Sequence, residues 1–116
     1  LAEMCFGGDC GANIDLSSVY ISEMKLHQHR ENTSEMGKIR PDFILFNETP
    51  ATFLVEVENP QIAKQLFSKV PHSIIGQTAA DRKIHVKLNS QDLCEISVEK
   101  LKVSWQRPMK EIFHAA

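Results

Sequence analysis

Residues 83–97 have the sequence KIHVKLNSQDLCEIS, from which two strands and the start of a helix can be predicted. Apolar and polar residues alternate over residues 83–88, and this period of two is typical of a strand with one buried face. Residues 89–92 are polar and predict a turn, after which residues 93–96 predict a second strand. Ser97 then stands where a helix N-cap is expected. The stretch therefore predicts a hairpin that leads directly into a helix.

The helix after Ser97 is predicted by apolar residues that recur every three or four positions. They are Val98, Leu101, Trp105, Met109 and Ile112. At this spacing we expect Trp105 to belong to the core rather than to a stacking surface. Pro108 lies inside the pattern and predicts a kink or an interruption, because proline lacks the backbone N–H that the helix needs.

Further strands and a helix are predicted upstream of this stretch. Residues 11–16 and residues 52–58 both alternate apolar with polar side chains and predict strands. Asn59 followed by a proline predicts the capped start of an amphipathic helix. Residues 72–78 predict a strand that forms a hairpin with residues 83–88.

The remaining segments predict short helices and a loop. Residues 1–8 have the pattern of the last turns of a helix with a glycine stop. Because an apolar helix end opens the chain, we expect a fragment of a longer protein. Pro41 predicts the first residue of a short helix. Residues 20–38 are polar without a sustained period and predict a loop insertion.

The order of these elements predicts the fold class. From residue 52 onward the order is strand, helix, strand, strand, strand, helix. It is typical of an α+β fold in which helices pack on one face of a mostly antiparallel or mixed sheet. A length of 116 residues suits a single domain, residues 1–116.

The composition narrows the classes of function. A net charge of −2 argues against nucleic acid as a partner. No apolar run reaches the length of about 20 residues that a membrane span needs, so no membrane partner is expected. Three cysteines, an odd number, favour reduced thiols and a cytoplasmic location.

The segment FNETP, residues 46–50, is the candidate functional site. Asn47, Glu48 and Thr49 lie where an apolar run ends before a proline, and their side chains can hold a substrate or a nucleotide. The alternative is that the side chains of Asn47 and Glu48 cap nearby backbone groups, as short polar residues at turns commonly do.

Other chemistry-bearing residues predict no site. His27 and His29 alternate in a polar loop without further ligands at a recognised spacing, so no metal site is expected. Cys5 is predicted to be a core thiol near a helix end. His85 stands between two lysines and predicts a solvated strand face. No catalytic residue is expected in this chain.

Several segments, in this order, resemble the C-terminal end of formylglycinamidine ribonucleotide synthetase, also called phosphoribosylformylglycinamidine synthase. They are GGDCGANIDL (residues 7–16), RPD (40–42), LFNETP (45–50), VP (70–71), IGQT (75–78), DRKI (81–84) and the Leu101-x-x-x-Trp105 ending. The chain departs from the family pattern at three positions. Asn47 and Thr49 replace serines, and Thr52 replaces an arginine that could bind phosphate.

The resemblance implies part of an ATP-dependent amidotransferase ligase of purine biosynthesis, which converts formylglycinamide ribonucleotide and glutamine-derived ammonia to formylglycinamidine ribonucleotide. It implies ATP and Mg²⁺ as cofactors of the whole enzyme, neither held firmly by this chain. The implied partners are upstream domains of the same polypeptide, a glutaminase and small accessory subunits. The chain itself is expected to supply scaffold and interdomain surface, to be inactive alone, and to be able to self-associate.

Two alternatives stay open at this point. The order of elements from residue 52 to residue 88 also suits a free-standing ferredoxin-like module that binds a small regulatory ligand. The second alternative is the C-terminal domain of aminoimidazole ribonucleotide synthetase, which has the same domain type. The FNETP turn and the Leu101-x-x-x-Trp105 ending favour the first synthetase over the second.

Overall fold

The computed structural model describes residues 1–19 and 40–113. They divide into two compact units, Leu1–Ser17 with Gly76–Ala116, and Ser18–Ile75. The described helices are α1 (Ala2–Gly8), α2 (Pro41–Leu45), α3 (Pro60–Leu66) and α4 (Val98–Phe113), with a 3₁₀ turn at Leu16–Ser18. The described strands are β1 (Gly11–Asp15), β2 (Gly76–Ala79), β3 (Lys83–Leu88) and β4 (Gln91–Ser97).

The first unit is built on a four-stranded mixed sheet with the strand order β2-β1-β3-β4. The first strand, β1, pairs antiparallel with β2 and parallel with β3, and β3 pairs antiparallel with β4. One face of the sheet is apolar, and α4 packs against both α1 and β4. The buried apolar residues of this unit are Cys5, Ala12, Ile14, Leu16, Ile84, Val86 and Val98. The α+β prediction is confirmed, as is the prediction of a buried Cys5.

The predicted hairpin between residues 72–78 and 83–88 is wrong. Residues 76–79 do form β2, but β1 lies between β2 and β3 and pairs with both of them. Two strands that follow each other in sequence need not pair when a third apolar strand can lie between them. Here β1 contributes buried Ala12 and Ile14, so its insertion adds apolar burial as well as backbone hydrogen bonds.

The predicted turn and strand after β3 are present and form a hairpin of β3 and β4, but the turn is shorter than predicted and β4 begins at Gln91 rather than at Leu93. Leu88 pairs with Gln91, which leaves a two-residue loop of Asn89 and Ser90. Both loop residues have positive φ, 50° and 65°, as a type I′ hairpin turn requires. The register shifts by one residue next to Val86 and Lys87, so β4 carries a bulge at Leu93.

The predicted helix starts are confirmed. In the first unit, the hydroxyl of Ser97 accepts a hydrogen bond from the backbone N–H of Lys100 at 3.4 Å, at the start of α4. In the second unit, α2 begins at Pro41 and α3 at Pro60. The side chain of Asn59 caps α3 and accepts hydrogen bonds from two backbone N–H groups, at 3.0 and 3.1 Å.

The predicted strand at residues 52–58 is wrong. These residues form no strand, and Phe53 is 85% exposed. Alternation gives a segment one apolar face, but a strand also needs a neighbour for its backbone hydrogen bonds, and none of the described strands pairs with this segment. The ferredoxin-like alternative depended on this strand.

Three further predictions concern single segments. The first helix does stop where predicted, but Asp9 rather than a glycine takes the left-handed conformation, with φ of 52°. The final helix, α4, continues through Pro108, so the predicted interruption does not occur. The hydrogen bonds before and after this residue do not need the N–H that proline lacks. The predicted loop at residues 20–38, with His27 and His29, lies outside the described residues.

The prediction that residues 1–116 form a single domain stays a prediction.

None of the helices in the described part of the chain has both the length and the hydrophobicity that a membrane crossing requires.

Candidate functional site

The predicted site residues form a tight polar turn after α2. The side-chain oxygen of Asn47 accepts a hydrogen bond from the backbone N–H of Thr49 at 2.8 Å. The hydroxyl of Thr49 donates to the same oxygen. This arrangement is the local capping that short polar side chains favour at turns. The oxygen of Asn47 is thereby engaged inside the turn.

The carboxylate of Glu48 differs from its two neighbours. Glu48 is exposed, and its side chain has no hydrogen bond or ion pair with any described residue. It does not cap a described backbone group, so the capping interpretation holds for Asn47 and not for Glu48. A substrate- or nucleotide-binding role for Asn47, Glu48 and Thr49 stays a prediction.

The cation nearest in sequence to this turn is already engaged. Arg40 forms a two-bond ion pair with Asp42, with its Nε donating to Asp42 Oδ1 at 3.0 Å. The hydrogen bond from Arg40 lowers the pKa of the Asp42 carboxyl, and the same bond raises the pKa of Arg40. The guanidinium carbon also lies 4.8 Å from the ring centre of Phe43. With Arg40 paired to Asp42 and a threonine at residue 52, the described turn offers no free arginine for a phosphate.

A second polar group lies in the first unit, on the polar face of the sheet. We call Asp81, Lys83, His85 and Glu95 the β3 cluster. His85 Nε2 lies 2.7 Å from Asp81 Oδ2, and His85 Nδ1 lies 3.4 Å from Glu95 Oε2. Lys83 Nζ donates to Glu95 Oε1 at 2.5 Å. The imidazole therefore has a carboxylate on each side.

The strands explain why these side chains meet. His85 is the cross-strand partner of Glu95 in the antiparallel pair of β3 and β4. Lys83 lies two residues before His85 and so projects from the same face. Asp81 lies in the turn before β3, where its Oδ1 accepts a hydrogen bond from the backbone N–H of Lys83 at 3.2 Å.

The charges of the β3 cluster stabilise one another. The hydrogen bond from His85 lowers the pKa of the Asp81 carboxyl. The hydrogen bond between Lys83 and Glu95 lowers the pKa of the Glu95 carboxyl and raises the pKa of the Lys83 amine. The partners hold both carboxyls in the ionised form, so neither is a ready proton donor at neutral pH.

The β3 cluster does not have the geometry of a metal site. Its two carboxylates face opposite nitrogens of the imidazole ring, so they cannot share one ion with it. Among residues 1–19 and 40–113, no group of three or more His, Cys, Asp and Glu side chains could hold a metal ion.

A shallow depression of about 260 Å³ lies beside the cluster. It is lined by His85 and by residues 92–95 of β4, including the bulge residue Leu93. The depression is small for an organic ligand, since pockets for such ligands usually measure roughly 300 Å³ or more.

Sequence reasoning missed the β3 cluster and predicted a solvated strand face around His85. The side chain of His85 is 25% exposed and lies between two carboxylates. The alternation of Lys83 and His85 showed that both residues share a face, but it did not reveal their acidic partners. Glu95 depends on the register of β4, which a single strand pattern does not specify. Asp81 stands four residues before His85 in the chain, and this short separation is the signal in the sequence that could have suggested their contact.

One curated protein is similar to a large part of this chain. The chain is 28% identical over 81 residues, 70% of its length, to the phosphoribosylformylglycinamidine synthase subunit PurL of Methanosarcina acetivorans. The matched region covers 9% of that protein. The similarity is distant and partial, and it supports a purine-biosynthesis synthetase of the PurL type as the class to which this chain is related.

No family model matches the chain, and no solved structure matches it.

Proposed function

We propose that this chain is a domain of a phosphoribosylformylglycinamidine synthase. In that enzyme, ATP would activate the amide oxygen of formylglycinamide ribonucleotide, and ammonia would then displace phosphate. The observation that carries the proposal is the 28% identity over 81 residues to a PurL subunit. The family motifs around Asn47 and in the Leu101-x-x-x-Trp105 ending support it, because both lie in the order that the family shows.

Within that enzyme, the domain supplies scaffold and interdomain surface rather than catalytic groups. Phosphoryl transfer requires Mg²⁺-binding carboxylates and donors arranged around phosphate. In the described part of the chain, the charged groups that meet in clusters are paired with one another, as in the β3 cluster and in the pair of Arg40 and Asp42. We therefore assign the catalytic His, the Mg²⁺ ligands and the ATP site to other domains of the same polypeptide.

The proposal includes the partners and the location of the enzyme. The complex would contain a glutaminase that delivers ammonia and small accessory subunits, and it would act in the cytoplasm. ATP and Mg²⁺ would be cofactors of the complex and not of this domain alone.

An activity assay tests the proposal. The isolated chain, given ATP, Mg²⁺, formylglycinamide ribonucleotide and ammonium, is expected to release no phosphate above a protein-free control. The longer polypeptide that contains the chain, with its glutaminase, is expected to form formylglycinamidine ribonucleotide. Turnover by the isolated chain would overturn the scaffold assignment, and an inactive longer polypeptide would overturn the enzyme assignment.

A calorimetric titration with ADP and Mg²⁺ tests the turn at Asn47, Glu48 and Thr49. For a scaffold we expect no saturable heat. Saturable heat that Glu48→Gln abolishes would instead make the turn a nucleotide site, with Glu56→Gln, a nearby exposed glutamate, as the matched control.

A further inference from the structure

The last turns of α4 carry an exposed apolar surface. We call Trp105, Met109, Ile112 and Phe113 the α4 stripe. Their side chains are 58%, 58%, 67% and 67% exposed. Positions i, i+4, i+7 and i+8 lie on one side of an α-helix, so the four residues form a continuous surface.

The α4 stripe continues the buried side of the same helix. Val98 in the first turn is 4% exposed and belongs to the core. Trp105 reaches Phe6 of α1, with the two ring centres 5.8 Å apart, yet more than half of it stays exposed, so the prediction that it belongs to the core is wrong. The first turn of α4 is thus buried in the core of its unit, and the apolar residues of its last turns are exposed to solvent.

Among the described residues of α4, the unpaired charges nearest the α4 stripe are positive. Glu99 is also unpaired, but it lies six residues before Trp105, roughly 9 Å away along the helix axis. Arg107 and Glu111 pair with each other at 3.7 Å. Among the described residues, the side chains of Lys102 and Lys110 form no ion pair. At about 100° per residue, Lys102 lies roughly 20° around the helix from Met109 and Lys110 roughly 100°. An apolar surface with unpaired lysines at its border is complementary to an apolar surface bordered by carboxylates.

We propose that the α4 stripe docks an amphipathic helical segment of a partner protein whose apolar side is flanked by aspartates and glutamates. A helix that lays its apolar side on a complementary apolar surface is a common mode of peptide recognition. A second copy of this chain is a poorer occupant, because its own stripe is bordered by the same unpaired lysines and not by carboxylates. The inference does not depend on which enzyme contains the chain, so it can fail while the proposed function stands.

The chain has a single tryptophan, Trp105, which makes the test direct. The probe is a synthetic amphipathic helical peptide with leucines on one side and flanking glutamates. Its twin has lysines in place of the glutamates. We expect the acidic peptide to shift Trp105 fluorescence to the blue, with an affinity at least about fivefold higher than that of the basic twin.

Variants separate the α4 stripe from the rest of the helix. Lys102→Glu with Lys110→Glu is expected to reverse the preference between the two peptides. Lys100→Glu is the matched control, because Lys100 lies roughly 180° from Met109 and should leave the preference unchanged. Met109→Ser is expected to weaken binding of both peptides.

Four results would overturn the proposal. They are equal binding of the two peptides, no binding of either, a response confined to vesicles of anionic phosphatidylglycerol, and a fluorescence shift that depends on protein concentration alone. The third result would assign the surface to a membrane and the fourth to a second copy of the chain. Circular dichroism of each variant confirms that α4 is intact before its binding is compared.

Discussion

Gly11 is the first residue of β1, and it lies against the backbone of Lys83, the first residue of β3. A Cβ added at this position would lie 2.2 Å from the backbone oxygen of Lys83 and 2.6 Å from its backbone nitrogen. No side chain fits at such distances, and backbone atoms held in a strand cannot move aside cheaply. The glycine therefore lets β1 approach the start of β3 this closely.

The first prediction follows from this contact. Gly11→Ala should destabilise the protein by about 1–3 kcal/mol, the range expected for overpacking. Gly7→Ala is the matched control, because a Cβ at Gly7 meets no atom within 4 Å. Gly7 lies inside α1, so alanine there should stabilise by roughly 0.5–1 kcal/mol. Urea unfolding measures both changes, and equal effects would contradict the steric argument.

A second prediction at the residue scale concerns pH. The hydrogen bond from His85 lowers the pKa of Asp81 in the folded protein. Since the unfolded value is about 4, the stabilisation is present above about pH 4 and is lost as the pH falls through the lower folded value. Asp81→Asn should therefore flatten the decrease in thermal midpoint between about pH 5 and about pH 2.

Glu48→Gln is the control for the pH prediction, because the Glu48 side chain has no partner among the described residues. It should follow the wild-type pH profile. If Asp81→Asn and Glu48→Gln change the profile equally, the contact between Asp81 and His85 is not the cause.

At the scale of elements, the hairpin of β3 and β4 depends on its two-residue turn. Asn89 and Ser90 both have positive φ, a conformation that asparagine tolerates better than serine does. The favoured residue at the second position of such a turn is glycine. The turn therefore holds Ser90 in an unfavourable backbone conformation.

We expect Ser90→Gly to raise the free energy of unfolding by up to about 1 kcal/mol. The matched control is Ser104→Gly, an exposed position inside α4, where glycine should lower stability by roughly 0.5 kcal/mol. Chemical unfolding of both variants shows whether each substitution raises or lowers the free energy of unfolding. Destabilisation by Ser90→Gly would show that Ser90 is not strained in this turn.

At the scale of the whole molecule, the two units differ in how their backbone is held. The first unit has a sheet whose inner strands, β1 and β3, each pair on two sides. In the second unit, the segment at residues 52–57 forms no strand, and its apolar residues Phe53, Val55 and Val57 are exposed. Local stability follows buried contacts and paired backbone groups, so it should be unevenly distributed.

Native-state hydrogen exchange tests this distribution. The amides of β3 are expected to exchange most slowly, and those of residues 53–57 close to the rate of an unstructured peptide. Slow exchange at residues 53–57 would mean that the segment has a strand partner. No variant is needed, because the exchange rates of both segments are measured in the same sample.

The features that could be predicted correctly from the residue pattern are local ones. The period of two over residues 83–88 and the caps at Asn59 and Ser97 specify strands and helices, because each depends on residues a few positions apart. The α+β class and the turn at Asn47 followed from the same short-range rules.

The tertiary structure decided what depends on distant residues. The position of β1 between β2 and β3, the place of Glu95 opposite His85 and the absence of a strand at residues 52–58 are set by which segments pair and in which register. An alternating pattern gives a strand its apolar face but does not name its neighbour. Backbone hydrogen bonds between strands are non-local, so only the folded chain determines them.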